Sequence, residues 1–108
     1  MVTVRLAGPY YLHTIKRLIR QLQPLFGLAE PRVVRVDMRD LTFMGPAALA
    51  LTLATLSKLR SEGLLEAGSA ISPPKSSGMF TYLHRMDFMR VLFEGQEMHD
   101  PVARHESV

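Results

Sequence analysis

Apolar and polar residues alternate from Val2 to Leu6 with a β-branched bias, which predicts a short strand. Gly8-Pro9 breaks it. The period then changes: Leu12, Ile15, Leu18/Ile19, Leu22 and Phe26 recur every three or four places, so Tyr11 to about Phe26 reads as an amphipathic helix. Pro24, Gly27 and Pro31 mark the link to a second β-branched run, Val33, Val34 and Val36, which closes on the Asp37/Asp40 cluster. A tight bend through Leu41, Thr42 and Phe43 is expected to reach Gly45-Pro46, where a long helix begins. Gly45 permits unusual backbone angles there, and Pro46, with its fixed φ and no amide donor to satisfy, suits the first helical position.

That helix is apolar on most sides, with Leu49, Leu51, Leu53, Ala54, Leu56 and Leu59. Thr52, Thr55, Lys58 and Glu62, at spacings of three and four, predict a narrow exposed ribbon, and Gly63 is placed to stop the helix. Leu64 to Ile71 holds a weak strand, interrupted by Gly68 and Ser69. Residues 72–78 form a loop before a last helix, Met79 to Leu92, with Phe80, Leu83, Met86 and Met89/Arg90 along one side. His84 and Arg85 are expected to face water. The strand, bend and helix from Val33 to Glu62 make half of a βαβ unit, so the expected fold class is α/β. We expect a mainly parallel sheet of three or four strands with helices packed against it. The domain spans 1–93, and 94–108, polar and without periodicity, reads as a flexible acidic tail or the start of a linker.

With 108 residues and 47% hydrophobic content, the chain can bury one core. The absence of cysteine excludes disulfides, thiolate metal sites and cysteine nucleophiles. No apolar run approaches the ~20 residues a membrane span needs, and the N-terminus lacks the layout of a signal peptide. A soluble, cytoplasmic protein with no membrane contact is therefore expected. The net charge of +3 is uneven. Residues 1–93 hold twelve of the thirteen Lys and Arg against six of the ten acids, a net +6, while residues 94–108 carry −3. Such a basic body is either an ordinary solvated surface or an attractor for a phosphate or an acidic partner.

Four features bear on chemistry. His13, Lys16, Arg17 and Arg20 fall on one helix face, as a solvated stripe or an anion-facing one. No aromatic residue interleaves with them in sequence, which makes a nucleic-acid partner unexpected. Asp37 and Asp40 can act as paired acids or ligate a metal, but no third ligand sits nearby, and Asp is a common turn residue after a strand. Lys75, Ser76 and Ser77, before a helix, resemble an anion cradle without the Gly spacing of a Walker loop. They offer either a phosphate- or nucleotide-binding site or an ordinary capped loop. The histidines lack metal-ligand spacing with carboxylates, and no serine sits in a nucleophile frame. Neither an enzyme, a metal site nor a cofactor is expected.

The valine-rich strand with its Asp, the Leu-Thr-Phe bend, the helix of small residues and its Lys/Arg-Ser-Glu-Gly end together resemble a STAS domain (sulfate transporter and anti-sigma-factor antagonist). The resemblance runs over about residues 2–93, including YLHRMDFMRVL as the closing helix. The family ordinarily has a further strand before Val2–Leu6, which this sequence is expected to lack or to begin beyond. In the family the bend carries Asp-Ser-Ser-Gly or Asp-Ser-Thr-Gly, whose second hydroxyl is phosphorylated. Here the aligned residues are Gly45, Pro46, Ala47 and Ala48, so the acceptor is missing. The resemblance implies a protein-binding regulatory module that cannot be switched by phosphorylation at this place. Its partner would be an anti-sigma or kinase-like ATP-binding domain, in cis or in trans. The partner-binding residues would be Thr42, Met44, Gly45, Pro46, Ala47, Ala48, Thr52 and Thr55. Homodimerisation is the remaining expectation.

Overall fold

In the computed structural model, which describes residues 1–86, the chain runs β1 (Val2–Arg5), β2 (Gly8–Tyr10), a single 3-10 turn (Leu12–Thr14), α1 (Ile15–Phe26), β3 (Val34–Asp37), β4 (Leu41–Met44), α2 (Pro46–Ser61), β5 (Ala70–Ser72) and α3 (Ser77–Arg85). The fold is α/β, with every strand pair parallel: β1-β3-β5 form one ladder and β2-β4 a second. The main sheet thus has three strands, within the three or four expected, and β2-β4 add a second, two-stranded one.

Register follows the valines. Val2 pairs with Val34 and Val4 with Val36, while Val36 also meets Ile71. Because side chains alternate along a strand, Val4, Val34 and Val36 go into the core while Thr3, Arg5 and Arg35 stay in solvent. One covered face is what that clean alternation describes.

The extra strands arise where turns were read. β1 ends at Arg5, and Gly8-Pro9, expected only to break the strand, opens β2. Gly8 takes a φ of +75°, and the ladder slips between Gly8 and Pro9, a place that tolerates a residue with no N–H. Residues 41–44 likewise form β4 in place of a bend, after a turn closed by Leu41 N–H donating to the Met38 carbonyl at 3.0 Å. Leu6 N–H donates to Asp37, Gly8 N–H to Asp40 and Gly45 N–H to Tyr10, so residues 2–10 run beside 33–45 as one interrupted ribbon.

Leu18, Leu22 and Leu25 are the buried line of α1, which packs on β1, β2 and α2. Complete burial of each stabilises the fold by about 1.5–3 kcal/mol. Leu12, Ile19 and Phe26, expected in the core, are instead exposed. The helix also continues through Pro24, whose missing N–H falls near the end, on the water side. α2 ends as expected: Gly63 is left-handed at φ +71°, Leu64 N–H reaches the Leu59 carbonyl and Gly63 N–H the Arg60 carbonyl.

Of the exposed ribbon expected on α2, Lys58 and Glu62 face water but the two threonines do not. Thr52 and Thr55 are buried with Ala48, Leu49, Leu56 and Leu59, and Ala47, Ala50, Ala54 and Lys58 face water. The hydroxyls tolerate burial because each donates within its own helix, Thr52 to Ala48 O at 2.9 Å and Thr55 to Leu51 O at 2.8 Å. In α3, Met79 and Leu83 are buried and Met86 is exposed, which shifts the expected apolar side. The expected remainder of that helix and the acidic tail lie outside the described residues.

Candidate functional site

At the end of β4 the chain passes through Gly45 into α2. Gly45 is extended (φ −67°, ψ 169°), so the unusual angles expected of it are not used. Its amide donates to Tyr10 O at 2.9 Å, and its carbonyl accepts from Leu49 N–H at 2.8 Å. Pro46 takes the first helical position, as expected. Of the residues expected to meet a partner, Thr42, Pro46 and Ala47 are exposed. Met44, Gly45, Ala48, Thr52 and Thr55 are sealed inside. α2 shows its surface through Ala47 and Ala50 because the packed side of the helix runs through Ala48, Thr52 and Thr55.

The large accessible groups here are two aromatic rings, Phe43 within the expected bend and Tyr11 outside it. Phe43 is 42% exposed and its ring lies 5.3 Å from that of Tyr11, also 42% exposed. Tyr11 in turn stacks on His13 at 5.3 Å, with the rings 4° from parallel. Three rings thus form a row beside the start of α2. Strict alternation would set Phe43 with the buried Leu41, but β4 reads buried, exposed, exposed, buried, so the period carried no signal for its exposure.

The two aspartates belong to a charged cluster where β3 gives way to β4. Arg39 donates to Asp37 from two side-chain nitrogens at 3.0 Å and from its backbone N–H at 3.0 Å. The side-chain bonds lower the Asp37 pKa most, the backbone bond next, from 3.8 to about 2. Asp40 bridges two elements, 2.6 Å from Arg5 and 3.5 Å from Lys75. Its pKa is lowered as well, chiefly by the Arg5 hydrogen bond and then by the Lys75 charge. Both carboxylates are ionised and engaged at neutral pH. Among the described residues, no group of three or more His, Cys, Asp or Glu is gathered for a metal ion.

The loop before α3 is similarly engaged. Lys75 pairs with Asp40 and donates its backbone N–H to Arg39 O, and Ser76 is the N-cap, accepting from Met79 N–H at 3.3 Å. Ser77 is exposed as the first residue of α3. The expected basic stripe loses one member. Arg17 donates to the carbonyls of Ala7 and Pro9 and covers the Tyr10 ring at 4.0 Å, leaving His13, Lys16 and Arg20 on the surface.

No helix among the described residues is long and apolar enough to cross a membrane. Compared with known proteins, the chain matches no family model, no curated sequence and no solved structure.

Proposed function

We propose that this chain is a non-enzymatic protein-interaction module of the STAS type, acting in the cytoplasm. Its contact surface is the β4–α2 junction: Thr42, Phe43, Pro46 and Ala47, with Tyr11 alongside. One observation carries the reading: two aromatic rings are held half-exposed and in contact beside the small first turn of α2. Aromatic anchors next to a flat, small-residue helix start are the kind of surface that buries well against a partner. Ala47, where the resemblance aligns a hydroxyl residue, has no atom to phosphorylate, so docking is constitutive. The partner is an anti-sigma or kinase-like ATP-binding domain, in cis or in trans.

The rival reading, a phosphate site at Lys75, Ser76 and Ser77, has weaker support because Lys75 and Ser76 already serve Asp40 and the α3 cap. Titration of the chain against a panel of kinase-type anti-sigma ATP-binding domains tests the proposal. Binding that Ala47→Arg abolishes, with the fold intact by circular dichroism, is the expected result. Absence of binding across the panel, or binding indifferent to Ala47→Arg, would overturn it.

A further inference from the structure

The apolar arc of α1 is wider than its core contact. Leu18, Leu22 and Leu25 are buried, yet the adjacent line, Leu12 in the preceding turn, Ile19 and Phe26, stands 73%, 37% and 49% exposed. Ile19 and Phe26, seven apart, share one side of α1, and Leu12 precedes them by the same interval in the 3-10 turn. Lys16 and Arg20 flank the line. Residues 11–29 contain no Asp or Glu, so no charge on this stretch of chain balances the cations. At its N-terminal end the line joins Tyr11, which touches Phe43.

We propose that this seam is a docking surface for an amphipathic acidic segment of a protein partner, apolar along one side and rich in Asp or Glu along the other. The apolar side of the segment covers Leu12, Ile19 and Phe26, and its carboxylates face Lys16 and Arg20. The inference rests on the proposed β4–α2 surface and deepens it, extending the contact onto α1 and naming the chemistry of what binds. A second copy of this chain is a poor occupant. A two-fold contact would lay this acid-free face against itself and bring like charges together. An anionic bilayer is also a poor fit, because interfacial helices sink a whole apolar face ~5–10 Å into the lipid. Here only the narrow line of Leu12, Ile19 and Phe26 reaches solvent, and the rest of the apolar arc is locked in the core.

The test is selection of a phage-displayed library of random 16-residue peptides on the immobilised full chain, followed by synthesis of the recovered peptides and fluorescence anisotropy. Recovered sequences are expected to be enriched in Asp and Glu interleaved with Leu, Ile or Phe. Their affinity should fall at least tenfold in Lys16→Glu/Arg20→Glu and in Ile19→Ser, and should weaken as salt rises. Recovery of neutral or basic peptides, no enrichment, or affinity unchanged in those variants overturns the proposal. So does preferential binding to phosphatidylserine vesicles or to a single-stranded oligonucleotide. Ala47→Arg separates the two readings: peptides lost in Ala47→Arg but retained in Lys16→Glu/Arg20→Glu leave the β4–α2 surface standing and remove the α1 seam.

Discussion

The rings of Tyr11 and Phe43 lie 5.3 Å apart with a 31° tilt, joining the chain ahead of α1 to the outward side of β4. Half of each residue's surface remains in water, so the contact adds little to folding. Phe43→Ala and Tyr11→Ala are each expected to cost about 1 kcal/mol or less in urea unfolding, with a coupling of about 0.5 kcal/mol in a double-mutant cycle. Partner affinity should fall at least tenfold in either variant. A residue whose loss matters far more to binding than to stability is what a contact surface requires.

Ala47 and Ala48 are neighbours with opposite environments. Ala47→Arg adds its side chain to solvent and should change stability by no more than about 0.5 kcal/mol. Ala48→Arg forces a charge and extra volume into the core and should leave the chain unfolded by circular dichroism. Thr52→Val removes only a hydroxyl that bonds within its own helix, so it is expected to cost less than about 1 kcal/mol. Thr52→Arg should unfold the protein. If Thr52→Arg and Ala48→Arg were tolerated, α2 would have to be rotated from the position described.

Arg17 guards an edge. Its guanidinium donates to the Ala7 and Pro9 carbonyls on the side of β2 that faces away from β4, and it lies over the Tyr10 ring. Arg17→Ala is expected to lose about 1–3 kcal/mol in chemical denaturation. Arg17→Lys should recover only part, because an ammonium cannot fork to two carbonyls while lying flat on a ring.

Acid sensitivity follows from Asp37. Its folded pKa is depressed, so the stability it contributes is complete above its ordinary value of 3.8 and is lost as pH falls through about 2. With Arg39 largely in water, the contribution is about 1 kcal/mol or less. Carboxyl carbon shifts in an NMR titration should place Asp37 well below the ordinary carboxylate range. In Arg39→Ala the midpoint should rise toward 3.8 and acid unfolding should begin at higher pH.

Features set by a local pattern or by one residue's chemistry were legible in the sequence. The valine alternation set β1 and β3, Pro46 set the start of α2, and Gly63 set its end. What was missed depended on context. β2 and β4 are three and four residues long and contain or follow turn-forming residues, so a local reading favours a break. α2 is apolar nearly all round, which leaves its orientation undetermined by periodicity, and the threonines took the role of surface markers that the alanines in fact hold. On α1 the three-and-four spacing merged two adjacent apolar lines, only one of which meets the core. The Tyr11–Phe43 pair spans 32 positions of sequence and becomes visible only when β2 lies beside β4.

Chemical-shift mapping of the isotope-labelled chain, titrated with a kinase-type ATP-binding domain, tests the β4–α2 contact surface most directly. Amide perturbations centred on Tyr11, Phe43 and Ala47, and absent in Ala47→Arg, are the expected result. Perturbations centred instead on Arg5, Asp40 and Lys75, or a spectrum unchanged at saturating partner, would contradict it.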